Sequence, residues 1–167
     1  MNDDPAIGDP ARRVLYRSYG IMNRVCWHDA LPPCLLTLSF LMSPHTMAYA
    51  LSGTGGEYPR IVFNARCCRS MGDADLLQIM AHEMIHIRQF SLGGRGGHGK
   101  DFQDEQRRLG LILGTAIPGN SPFGYVLFMH GLQMLHPAEA VRSLAGIPGG
   151  IRADKKFFEA NLSHLYM

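Results

Sequence analysis

His82-Glu83-Met84-Ile85-His86 sets two imidazoles four residues apart, with a carboxylate beside the first. On a helix, residues at that spacing share one face a turn apart, so both rings can reach a single ion. Glu83 is offset from His82 by about 100° around the axis. It can therefore reach the open side of the ion without ligating it. A carboxylate so placed can take a proton from water that a metal has acidified to a pKa of about 7. It can later deliver that proton to a leaving amine. This would be the chemistry of peptide-bond hydrolysis. The bland alternative is two helix-face histidines satisfied by hydrogen bonds.

A catalytic zinc site usually takes three protein ligands and keeps one position open, so a third ligand is needed. After His86 there are eleven residues, then His98-Gly99-Lys100-Asp101-Phe102. The chain must reverse for anything downstream to return to the ion. Gly93, Gly94, Gly96 and Gly97 supply positions that tolerate positive φ and a tight turn. His98 would then stand at the start of the next helix, facing the first. Glu105, on that next helix, is the rival ligand, and Asp101 and Asp104 are weaker ones.

H-E-x-x-H, a gap of about a dozen residues and then H-G-x-x-F resemble the SprT-like (Spartan-type) zinc metallopeptidase family. Upstream, "RIVFNARCC" resembles the strand that precedes the motif helix in that family. The resemblance covers roughly residues 10–112. It implies an α+β domain of zincin type, zinc as the metal, His82, His86 and His98 as ligands, and Glu83 as catalytic acid/base. It also implies that Ile61, Val62, Phe63 and Asn64 form the sheet edge along which a protein or peptide substrate lies as an extended strand. Members of the family can cleave proteins crosslinked to DNA. The frequent C-terminal zinc ribbon of the family is not encoded here, because Cys26, Cys34, Cys67 and Cys68 include no C-x-x-C pair. Nucleic acid is accordingly a weakly supported partner.

The elements that must position these groups are legible around them. Leu15, Tyr19, Met22 and Cys26 form one helical stripe between Pro10 and about Ala30, with Arg12, Arg13, Arg17 and Arg24 on the wet face. Pro32-Pro33 ends that helix. "CLLTLSFLM", "TMAYALSG" and "RIVFNARC" read as three strands, suggesting a small antiparallel sheet. Asp73, or Ser70 with Asp73, caps the motif helix, whose stripe is Leu77, Met80, Met84 and Ile87. "KDFQDEQRRLGLIL" is the ligand-bearing helix, with Phe102, Gln106 and Leu109 on one face. Farther on, residues 125–129 read as a short strand, "PAEAVRSLA" as a helix with Pro137 in its first turn, and residues 153–166 as a last helix.

With 167 residues and 46% apolar content, the chain suits one domain with a real core. The boundaries are a flexible N-terminus at 1–9 and one domain at 10–167, whose residues 113–167 are a Gly/Pro-rich extension with helices. A net charge of +2 is too weak to argue nucleic-acid binding. The N-terminus shows no secretory signal, and "LLTLSFLM" is too short to span a bilayer. The reading is a cytoplasmic protein with reduced cysteines and no membrane partner. His45, Tyr49, Arg95, Tyr125, His130 and His136 are candidates for oxyanion stabilisation, with none preferred. Two other functional classes fit the same residues: a non-catalytic zinc-binding module, and a translocated toxin or effector protease.

Overall fold

The computed structural model describes residues 5–112, 135–146 and 159. Helix α1 (Pro5–Trp27) carries the stripe Leu15, Tyr19, Met22 and Cys26, all buried. It begins five residues before Pro10, inside the segment read as a flexible N-terminus. Proline at a first helical position has its φ preset for the helix. Pro10 then lies inside the helix at the loss of one intrahelical hydrogen bond. The buried face is wider than one stripe and includes Tyr16, Ser18 and Arg12, so Arg12 is not on the wet face. The width follows from packing against more than one helix. The stop precedes Pro32-Pro33. His28 and Asp29 both adopt left-handed φ, of 52° and 63°, and the Asp29 amide bonds the Asn23 carbonyl. The Asn23 side chain then holds Leu31 at both its amide and its carbonyl.

The three predicted strands form as β1 (Leu35–Ser39), β2 (Ala48–Leu51) and β3 (Arg60–Asn64), but their arrangement differs from a simple meander. The order is β1-β3-β2, with β3 parallel to β1 and antiparallel to β2. The sheet is therefore mixed rather than antiparallel. β3 takes the centre because Ile61, Val62, Phe63 and Asn64 are all buried, the pattern of a strand covered on both faces.

This placement corrects the edge role implied for Ile61, Val62, Phe63 and Asn64. The backbone of β3 is bonded on both sides, so no substrate strand can add to it. Asn64 is also fully committed. Its amide nitrogen donates to the carbonyls of Ser43 and Thr46, and its oxygen accepts from the Arg66 amide. The outer edge of β1 is covered as well, since the Leu36 amide donates to the Tyr16 hydroxyl at 3.0 Å. Among the described residues, β2 is the other edge strand, and its outer edge has no ladder partner.

"ARCC" is not strand. Capped by Asn64, it forms the short helix α2 (Ala65–Cys68). Cys26, Cys34 and Cys68 are buried free thiols, and burial pushes the Cys26 and Cys68 thiols up to about 11. Such groups are inert. The motif helix α3 (Asp73–Ser91) packs on β2 and β3 and buries Leu77, Met80, Met84 and Ile87. Gly72, not a side chain, stands at its N-cap. Asp73 is used elsewhere: its Oδ1 accepts from the Ala138 amide at 2.8 Å, at the start of α5 (Pro137–Ala145). α4 (Lys100–Ile112) packs on α3. Its inner face is Phe102, Glu105 and Leu109, while Gln106 is exposed. Residues 125–129 and 153–166 lie outside the described residues, apart from residue 159. Among the described residues, no helix is long and apolar enough to cross a membrane.

Candidate metal centre

Helical periodicity brings His82 and His86 to one side of α3, where their ring centroids are 5.3 Å apart. The chain then reverses. The Leu92 amide bonds back to the carbonyls of Arg88 and Gln89, and the Gly94 amide to that of Gln89. Gly93, Gly96 and Gly97 take φ of 83°, 81° and 122°, which L-residues adopt only with strain. Gly96 also passes so close to Phe90 that a Cβ there would lie 3.0 Å from the ring. The reversal delivers His98 to the other two rings, 5.1 Å from His82 and 4.9 Å from His86 by centroid. Its carbonyl accepts from Gln103 Nε2, which fixes it against the first turn of α4.

Each of the three imidazoles offers a ligand atom, and these atoms all lie within 4.8 Å of one another. The trio is close enough to bind a metal ion. His82 Nε2 and His98 Nε2 approach to 3.1 Å. Beneath the rings lies Phe102, with its centroid 4.7–4.9 Å from all three. An apolar floor holds the rings from below without offering a competing polar group. Burial, then the neighbouring charges of His86 and His98, pushes His82 down to about 4, and burial lowers His86 too. Both rings are thus neutral near pH 7, the state in which imidazole can ligate.

Glu83 is buried, and its Oε2 has no hydrogen-bond partner. Burial raises its carboxyl to about 7. The rival carboxylates are engaged elsewhere. Glu105 Oε1 accepts from Trp27 Nε1 at 2.7 Å and from Arg108 Nη2, and Arg88 lies 3.6 Å away. Burial raises the Glu105 carboxyl, but the bonds from Arg108 and Trp27 outweigh it and hold the group below its usual value. Asp104 pairs with Lys100 and Arg107, and Asp101 accepts from Gln89.

The SprT-like family model matches residues 20–118, more than half of the 167-residue chain. The chain belongs to the SprT-like family. No curated protein and no solved structure matches it. In this SprT-like chain the matched span contains the sheet, the motif helix, the glycine turn and α4, which are the elements that assemble the trio. Among the oxyanion candidates, Tyr49 lies on β2, His45 and Arg95 are exposed, and His136 sits 4.0 Å from Asp73. Tyr125 and His130 lie outside the described residues.

One residue of the site is missing from the sequence reading. Gln89 Oε1 lies 2.7 Å from His86 Nδ1. The signal was available, since residues three apart on a helix are neighbours. Glutamine, however, is an unremarkable residue on a helix until the ring beside it is placed in the histidine trio.

Proposed function

We propose that this chain is a zinc-dependent endopeptidase of zincin type, with His82, His86 and His98 as ligands and Glu83 as the acid/base. The donor set fits zinc, which favours imidazole nitrogen and tetrahedral geometry. Tetrahedral binding at about 2.0–2.1 Å would set two ligand nitrogens about 3.3 Å apart, and those of His82 and His98 are at 3.1 Å. Zinc held there would polarise a scissile carbonyl and lower the pKa of water to about 7.

The observation that carries the reading is the buried, unpartnered Oε2 of Glu83, one residue along α3 from His82. Leaving such an atom without a partner costs about 1–3 kcal/mol or more. That cost makes sense for a group whose partner is the reacting water. Glu83 accepts a proton from the attacking water and passes it to the departing amine nitrogen. Burial favours the protonated carboxyl, whereas a cation held by the histidines would favour the carboxylate, so the group is suited both to taking and to giving a proton.

For substrate, β2 supplies what β3 cannot. A peptide can add to its outer edge as a further strand, gaining backbone hydrogen bonds without a sequence requirement. Tyr49 and Leu51, exposed along this strand, offer apolar surface to alternate side chains of such a peptide.

The test is Glu83→Gln. The variant should retain the metal and lose cleavage of an unfolded protein substrate by about 10²–10⁴-fold. Wild-type cleavage by a metal-loaded variant would remove the proposed base.

A further inference from the structure

The Gln89 carboxamide joins two parts of the site that are far apart in its chemistry. Its Nε2 is 3.1 Å from the Gly97 carbonyl and 2.9 Å from Asp101 Oδ2. Both are acceptors only, so the nitrogen of the amide must face them and its oxygen must face His86. An amide oxygen only accepts, so His86 Nδ1 must carry the proton in this contact. The lone pair is then left on Nε2, the nitrogen available to an ion. The same two hydrogen atoms of the amide hold the carbonyl just before His98 and the first turn of α4. One buried side chain thus connects His86 on α3 to the turn that returns His98 just ahead of α4.

We propose that Gln89 is the positioning residue of the metal centre: it selects the His86 tautomer that exposes Nε2 and fastens the Gly97–Asp101 turn so that His98 is held in place before the ion arrives. Outer-shell partners of this kind orient ligating histidines, and their removal typically weakens metal binding 10–100-fold. The two functions of Gln89 are separable by substitution. Gln89→Leu neither accepts nor donates. Gln89→Glu still accepts from His86 Nδ1 but cannot donate, and it places a carboxylate against the Gly97 carbonyl and Asp101. Asp101→Ala, on the exposed side of the turn, removes only one of the two acceptors.

The inference rests on the metal-centre reading, and three measurements on the full chain keep the two apart. The first is zinc affinity by competition with a chromophoric chelator. The second is the nitrogen NMR signature of the His86 tautomer in metal-free protein. The third is amide hydrogen exchange at Gln103, whose N–H donates to the Gly99 carbonyl at 3.0 Å and closes the turn onto α4. Gln89→Leu should bind zinc about 10–100-fold more weakly, show both His86 tautomers and lose protection in the turn. Gln89→Glu should keep the Nδ1–H tautomer while losing turn protection, a split that a merely structural side chain would not produce. Should Gln89→Leu fail to fold, Asp101→Ala should still weaken zinc binding and turn protection with the tautomer unchanged. Affinity within twofold of wild type and a single His86 tautomer in Gln89→Leu would overturn the role of Gln89 while leaving the metal centre intact. Wild type that binds no zinc would instead sink the metal reading, and the tautomer and exchange measurements on metal-free protein would still decide the role of Gln89.

Discussion

His82 Nε2 stands 3.1 Å from His98 Nε2, although sixteen residues separate them in the chain. Helical spacing alone does not bring them together, since His98 lies in the turn ahead of α4. α3 aims His82, the glycine reversal returns the chain, and the Phe102 ring holds both imidazoles on one apolar floor. Two imidazoles at this distance cannot both be cationic without strong repulsion, so the arrangement suits neutral rings with lone pairs converging on a cation.

The convergence favours His98 over Glu105 as the proposed third ligand. His98→Ala should lower zinc affinity by more than about 100-fold, beyond the usual effect of an outer-shell change. Glu105→Ala should leave one zinc per chain. It should instead destabilise the fold by about 1.5–3 kcal/mol, because it removes a buried acceptor of charged and indole donors. Metal analysis and thermal unfolding of the two variants check both halves. Zinc retained in His98→Ala and lost in Glu105→Ala would reverse the assignment.

The glycine turn gives a second expectation. Gly96→Ala would place a Cβ 3.0 Å from the Phe90 ring in a backbone region with φ of 81°. It should cost about 1–3 kcal/mol and weaken zinc binding, since the strain falls on the segment that returns His98. Gly93 also has positive φ, but a Cβ there meets nothing within 4 Å. Gly93→Asn should be tolerated better, because asparagine visits the left-handed region. Equal melting temperatures for Gly96→Ala and wild type would mean that the turn can relax freely.

Local pattern revealed most of this site, and long-range pairing revealed the rest. The stripe of α3, the paired histidines and the returning His98 all follow from helical spacing and from glycine chemistry. The sheet order does not. Three consecutive strand-like runs read as a meander, yet β3 inserts between β1 and β2, because its residues are buried on both faces. Periodicity of one strand says nothing about its neighbours. The structural role of Glu105 was not legible for a related reason. Its partners Trp27 and Arg88 come from α1 and α3, and nothing local to α4 announces them. Its burial is what moved Gln106 off the inner face.

The corrected edge can be tested through its backbone. The Asn64 amide bonds the Met47 carbonyl at 2.8 Å, so Met47 and Asn64 form a hydrogen-bonded pair of the antiparallel ladder. Alternation then turns the N–H and C=O groups of Ala48 and Ala50 away from β3. Ala50→Pro deletes an outward donor and leaves the ladder intact, the one setting in which a strand tolerates proline. Cleavage should show a raised KM with unchanged zinc content. Unchanged KM would place the substrate elsewhere.

The last expectation concerns pH in metal-free protein, where histidine and carboxyl shifts oppose each other. His82 falls from 6.5 to about 4 on folding. Between those values the unfolded chain binds more protons, so this ring makes stability fall as pH falls through that window. Glu83 rises from 4.5 to about 7. Between those values the folded chain binds more protons, so its contribution is fully present below 4.5 and is lost as pH rises towards 7. His86, also lowered by burial, adds to the His82 effect, so the wild-type profile is the balance of the two histidines against Glu83. Glu83→Gln removes only the Glu83 effect, so its melting temperature should gain on wild type steadily as pH rises from 4.5 to 7. Saturating zinc should shrink that gain, because a nearby cation favours the carboxylate. A difference between the two proteins that does not vary with pH would show that Glu83 has a solvated or bonded carboxyl, and with it the buried, unpartnered oxygen on which the proposed chemistry relies would be gone.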